Sequence, residues 1–164
     1  MTTRRLLLLR HARASAGAGE AGDHGRDLDE RGRRDASALG REMHRLRLRP
    51  DLVLVSSALR TRRSWELLGG FDGSPRVQVM DRLYLAEPAE LLAVLHATPE
   101  DCTTLLLIGH NPGLHGLALH LAGTRAPPVL RDGMPTCTLV SLSVKGGWRD
   151  LHPGSIRDAQ VVGA

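Results

Sequence analysis

Four short apolar runs punctuate the chain, at residues 6–9, 52–55, 77–80 and 105–108, and stretches of helical pattern fill the intervals between and after them. Each run is near-continuous in apolar character, the mark of a strand covered on both faces. The intervals predict helices over about 30–46 and over 58–68, the second closed by Gly69 and Gly70 as C-cap signals. A third helix is expected over 88–96, with proline in its first turn. A fourth is expected over 112–121, with Asn111 as N-cap and Gly123 at its end. Strand and helix in alternation predict an α/β fold, a three-layer α/β/α arrangement around a mostly parallel central sheet. The tail differs. Residues 138–144 alternate in polarity, Gly146 and Gly147 mark a turn, and 148–152 are expected to return antiparallel. Residues 14–27 and 124–135 read as loops. Neither a repeat nor a linker divides the 164 residues, so 1–164 is expected to be a single domain.

Composition narrows the function classes. No apolar run approaches the roughly 20 residues of a membrane span. The N-terminal leucine run ends at Arg10 and His11, too short for a signal-peptide core. With only Cys102 and Cys137 there is no disulfide scaffold, and a cytoplasmic location is expected. Net charge is +4, and Lys145 is the one lysine among 22 basic residues, which leaves 21 arginines. An Ala-, Arg- and Gly-rich composition accounts for much of that excess, but arginine also suits bidentate phosphate recognition. Nucleic acid is not the expected partner, because Phe71, Tyr84, Trp65 and Trp148 are too few for a stacking platform.

In a sheet of this kind ligands collect outside the carboxyl ends of the strands. Arg10 and His11 follow the first run. Ser56, Ser57 and, a helical turn on, Arg60 follow the second. The segment from Leu83 to Glu87 follows the third, and Gly109, His110 and Asn111 follow the fourth. Two histidines and two arginines therefore converge on one edge. A neutral imidazole can attack phosphorus when its other nitrogen donates to a carbonyl. Arginines can pair with the non-bridging oxygens, where charge gathers in the transition state. Asn111 and Pro112 are expected to aim a helix N-terminus at the same anion. His24, His44, His96, His115, His120 and His152 read as ordinary, and His115 and His120 lack metal-ligand spacing, so neither a metal nor another cofactor is expected.

The blocks LLLLRHARA, RDLDERG, SSALRTRRSWELL, DRLYLAEPAELLAVL and TLLLIGHNPGLHGLALHLAG follow in order over about residues 4–150. Together they resemble the histidine phosphatase superfamily, whose fold is phosphoglycerate mutase-like, and within it the SixA-type phosphohistidine phosphatases. The resemblance implies that His11 is the nucleophile that forms a phosphohistidine intermediate. It implies that Arg10 and Arg60 grip the phosphoryl oxygens and that His110 completes the pocket, with Asn111 behind it. Arg13 and Arg26 stand where they could reach substrate. Ser57 could contact phosphate or cap the following helix, and the cap is the preferred reading. Glu87 is the nearest candidate for a general acid and Asp81 the second, although Glu87 could equally be a first-turn carboxylate complementing the helix dipole. Ala12 replaces the glycine of the commonest superfamily motif, and Arg63 and Ser64 replace a common Gln-Thr pair.

The implied reaction is phosphate hydrolysis through an enzyme phosphohistidine. The expected substrate is a phosphorylated histidine on a partner protein, such as a histidine phosphotransfer domain, or a small phosphorylated compound. Phosphate or sulfate should also occupy the site. A broad-specificity phosphomonoesterase and a catalytically idle phosphate-binding module are the alternatives. The short chain leaves little length for a cover, so an open site is expected.

Overall fold

The computed structural model describes residues 3–17 and 19–163. Residue 18 of the first loop, residues 1–2 and residue 164 lie outside the described residues. Strands β1 (Arg4–Arg10), β2 (Leu52–Ser56), β3 (Arg76–Met80), β4 (Thr104–Gly109), β5 (Leu139–Val144) and β6 (Ile156–Val162) form one sheet in the order β3-β2-β4-β1-β5-β6. The β3, β2, β4 and β1 strands run parallel, while β5 is antiparallel to both β1 and β6. Helices α1 (Glu30–Arg45) and α2 (Leu59–Leu67) cover one face. Helices α3 (Pro88–His96) and α4 (Gly113–Ala122) cover the other, and a short α5 (Pro128–Asp132) follows.

Strand alternation divides the core. Leu6 and Leu8 of β1 join Leu52, Leu54, Leu105 and Leu107 against Leu91 and Leu95 of α3 and Leu114 and Leu117 of α4. Leu7 and Leu9 point the other way, with Val53, Val55, Leu106 and Ile108, against Leu39 and Met43 of α1 and Leu68 beyond α2. Each fully buried leucine contributes roughly 1.5–3 kcal/mol, so four consecutive leucines in one strand hold both helical layers. Asp29 caps α1 by accepting the Gly32 amide at 2.7 Å. Gly40 lets α1 approach the end of α2, since a Cβ there would fall 1.9 Å from the Leu68 carbonyl oxygen.

The structure corrects four expectations about elements. β3 is an edge strand, not one covered on both faces, and Val77 and Val79 are 43% and 56% exposed. The antiparallel return is made by β6, whereas Trp148–Asp150 forms a 3-10 turn. That turn buries Trp148, whose indole N–H donates to the Cys102 carbonyl at 2.8 Å. The expected loop over 124–135 contains α5. Helix α4 begins at Gly113 and not at Pro112; the Asn111 side-chain oxygen accepts the His115 amide at 3.2 Å.

The sheet register positions the site. Arg10 of β1 pairs with Gly109 of β4, and Val55 of β2 pairs with Ile108. His11 and His110, the residues immediately after a matched pair on neighbouring parallel strands, therefore leave the sheet side by side.

Candidate active site

A cavity of about 250 Å³ opens at this edge, lined by Arg10, His11, Arg13, Ala14, Arg26, Arg60, Leu85, His110, Asn111 and Thr136. The His11 and His110 ring centres are 5.3 Å apart. His11 Nδ1 lies 2.7 Å from the Ala12 carbonyl oxygen and donates to it, which leaves Nε2 with its lone pair. Burial, reinforced by Arg60, Arg10 and Arg26, pushes the His11 pKa down to about 4, although the Ala12 bond opposes the shift. Burial and then His11 and Arg60 push His110 down to about 3. Both imidazoles are neutral at pH 7. Burial first, then Arg60, also lowers the Arg10 pKa, yet an arginine keeps its charge at any physiological pH.

Local bonds make this geometry rigid. The Ser64 hydroxyl accepts the Ala12 amide at 2.8 Å and donates to the Arg60 carbonyl at 2.7 Å, tying the His11 segment to the Arg60 helix. The Cys137 amide donates to the Arg10 and His11 carbonyls at 3.1 and 3.0 Å. The Met134 carbonyl accepts from the Arg10 guanidinium at 3.0 Å and from the Asn111 amide group at 2.8 Å. Leu85 and Cys137 both take left-handed backbone conformations, at φ 51° and 61°, beside the site. Such conformations cost about 1–3 kcal/mol for a non-glycine residue and persist only where the surroundings enforce them.

The loop after β1 forms a strap along one side of the cavity and contributes Arg13, Ala14 and Arg26 to its lining. Ala14 pairs with Leu28 across its base, and the Ser15 amide donates to the Asp27 carbonyl at 2.9 Å. At its far end Asp23 meets Arg60. The Arg60 guanidinium donates to the Asp23 carbonyl at 2.8 Å and to its carboxylate at 3.1 Å, and Arg26 reaches that carboxylate at 3.0 Å. The Tyr84 hydroxyl donates to the same carboxylate. That bond first, then Arg26 and Arg60, hold the Asp23 pKa far below the usual carboxylate range, while the bond to Asp23 and burial raise the pKa of Tyr84 against the opposing charge of Arg60.

A model of the histidine phosphatase superfamily (branch 1) matches residues 6–84. An uncharacterized protein of Mycobacterium tuberculosis is 35% identical over 151 residues, covering 89% of this chain and 93% of that protein. A solved structure from Nakamurella multipartitia, described as a SixA phosphohistidine phosphatase, is 31% identical with a TM-score of 0.82, covering 100% of this chain and 97% of that one. This chain belongs to the histidine phosphatase superfamily. A second structure described as SixA, from Agrobacterium tumefaciens, is 28% identical with a TM-score of 0.78, over 88% of this chain and 93% of its own. These matches make the chain a phosphatase of that superfamily, similar along its length to structures described as SixA.

Within the histidine phosphatase fold, the cavity gathers Arg10, His11, Arg60, His110, Asn111, Arg13 and Arg26. Arg13 is also held by Asp29 at 2.5 Å. Glu87 and Asp81 are not brought in. Both are exposed and outside the lining, and Glu87 is the N-cap residue of α3. The 3-10 turn Asp81–Leu83 and the left-handed Leu85 turn the chain so that Leu85 faces the cavity and Glu87 leads into the helix. Ser57 neither lines the cavity nor caps α2; its hydroxyl meets His24 Nε2 at 2.9 Å. The Leu114, His115 and Gly116 amides are taken by His110, Asn111 and Pro112. Gly113 packs against the Ala86 carbonyl.

The sequence places Ser56 and the segment containing Tyr84 at this edge without a role for either, and it gives no sign of Asp23, of the bonds of Ser64 or of the 134–137 segment. Only the position of Ser56, at the carboxyl end of the second apolar run, was a usable signal. Among the described residues no group of three or more His, Cys, Asp or Glu side chains could hold a metal ion. The fold has no helix long and apolar enough to cross a membrane among the described residues.

Proposed function

We propose that this phosphatase hydrolyses phosphohistidine on a partner protein through a phosphoryl-His11 intermediate. His11 Nε2 attacks phosphorus on a substrate ring whose other nitrogen carries a proton, so the P–N bond breaks with its electron pair going to the substrate nitrogen and a neutral imidazole leaves. Water then attacks phosphoryl-His11, releasing phosphate and restoring the neutral ring. Arg10 and Arg60 pair with the phosphoryl oxygens, His110 donates to one of them, and Arg13 and Arg26 guide the approach. These guanidinium groups supply the positive charge that the transition state needs, so the reaction runs without a metal or other cofactor.

The observation that carries this reading is a cavity lined by four arginines and two neutral histidines, with no carboxyl group among the described lining residues. Expelling an alkoxide, with a conjugate acid near 15.7, requires a proton donor, whereas a neutral imidazole leaves with a conjugate-acid pKa near 6.5. The gap of roughly 9 units is up to ~12 kcal/mol if fully expressed. Asp23, the carboxylate bound to Arg60 and Arg26, is ionised and cannot donate. A SixA-type relationship and the two unpaired, buried cysteines, which suit a reducing cytoplasm, support the same reading.

The strap favours a second reading. Arg13, Ala14 and Arg26 of the strap line the cavity, an arrangement that also suits a small activated phosphate. Turnover of a phosphorylated histidine phosphotransfer domain is to be compared with that of phosphoramidate and of sugar phosphates. The expected order places the phosphorylated domain first by at least tenfold in kcat/KM. Equal or better turnover of sugar phosphates would transfer the assignment to a broad phosphomonoesterase.

A further inference from the structure

Ser56 and Ser57 are adjacent, yet their hydroxyls serve different rings. Ser57 meets His24 on the strap, whereas Ser56 is fully buried and meets His110 Nε2 at 2.7 Å. The Ser56 hydroxyl also accepts the Ala58 amide at 3.3 Å, and its own carbonyl accepts the Thr61 hydroxyl at 2.8 Å. Ser56 is thus fixed at the end of β2, beside the strand that carries His110.

The proton on the neutral His110 ring can sit on either nitrogen, and which one decides what the ring can do. If Nε2 carried it, the Ser56 oxygen would accept two bonds, from Nε2 and from Ala58. Its own proton would then have no acceptor in a fully buried place, which costs roughly 1–3 kcal/mol. If the Ser56 O–H donates to Nε2, every polar atom of the serine side chain is satisfied. The ring proton then sits on Nδ1. That atom is buried and has no hydrogen-bond partner among the described residues, on a side chain that lines the cavity.

We infer that Ser56 is a positioning residue that donates to His110 Nε2 and thereby fixes the tautomer whose Nδ1–H binds a phosphoryl oxygen. The unpartnered donor is then explained, since its bond is supplied by substrate. Preorganised donors of this kind cost no reorganisation when charge develops on the oxygen. The inference rests on the reading of His110 as a phosphoryl ligand, and the test separates the two.

The ring nitrogens of the whole protein, labelled with nitrogen-15, report the tautomer directly by NMR at pH 7. His110 is expected to show a protonated Nδ1 and an unprotonated Nε2, and added inorganic phosphate should shift its Nδ1 signal. A protonated Nε2 overturns the role of Ser56 and leaves the proposed function intact. A protonated Nδ1 that ignores phosphate, while His11 responds, removes His110 from the phosphate site and overturns the inference with it. In Ser56→Ala the ring should populate the other tautomer, with kcat on phosphohistidine down by about 100-fold, the scale of losing one oxyanion donor. A folded Ser56→Ala protein with the original tautomer and undiminished kcat would also contradict the assignment. Should that variant fail to fold, the signals of the unmodified protein decide.

Discussion

His110 lies with its ring centre 5.3 Å from that of His11, and both rings stay neutral well below the pH at which a free imidazole charges. In the unfolded chain each reverts to about 6.5. As pH falls from 6.5 toward 4, the unfolded chain takes up protons that the folded one refuses. Stability should therefore decline across that window, by an amount on the order of several kcal/mol for the pair at about 1.4 kcal/mol per unit, and it should owe nothing to these groups above it. NMR titration of the ring protons is expected to give midpoints near 4 for His11 and near 3 for His110. Urea denaturation at pH 7, 5.5 and 4.5 should follow the same trend, and inorganic phosphate should reduce the loss. Midpoints near 6.5 would remove the electrostatic basis of the site.

Asp23 anchors the strap through Arg60, Arg26 and Tyr84. Its folded pKa is depressed, so its contribution is complete above the ordinary value of about 3.9 and is lost as pH falls below it. Asp23→Ala should free the strap at neutral pH. Trypsin cleavage after Arg26 is expected to speed up by about tenfold, an opening cost of about 1.4 kcal/mol. An unchanged cleavage rate would mean that the base of the strap, at Ala14 and Leu28, holds it alone.

Gly113 sets how closely α4 approaches the segment beside the cavity. A Cβ there would fall 1.8 Å from the Ala86 carbonyl oxygen, and backbone cannot yield as a side chain can. Gly113→Ala should cost about 1–3 kcal/mol, the usual range for overpacking, and lower Tm by several degrees. Gly116→Ala meets only the Pro88 side chain at 3.0 Å and should cost less. Thermal unfolding of the two variants checks the order.

Glu87 is exposed and outside the cavity. Glu87→Gln should retain more than about half of the phosphohistidine activity, as expected of a surface change. Complete loss of activity would mean that a proton donor is needed after all, and the leaving-group argument would fail.

The parts of this fold that were legible in the sequence are those governed by periodicity. Four consecutive leucines read as a strand buried on two faces, and His11 and His110 each stand one residue beyond such a run. Parallel register then brings them together across a hundred residues. The parts that were not legible depend on hydrogen bonds from loops. Nothing in the spacing of Asp23, Arg60 and Tyr84 announces that one carboxylate joins them. Val77 and Val79 have strand character in any position, so their place at the sheet edge was hidden. Glu87 misled because it follows a strand in sequence, while a 3-10 turn and one left-handed residue carry it away from the site. The strap was invisible for a related reason: a loop rich in glycine and alanine gives no periodic signal, and its order comes from partners elsewhere in the chain.

The central claim is that His11 takes the phosphoryl group. Rapid quenching of the enzyme with a phosphohistidine-bearing protein, followed by mass spectrometry at neutral to alkaline pH, tests it most directly. A single phosphoryl group on the peptide containing His11, appearing before free phosphate and absent from His11→Ala, is the expected result. A burst of phosphate with no label on the enzyme, or a label on any other residue, would contradict the claim.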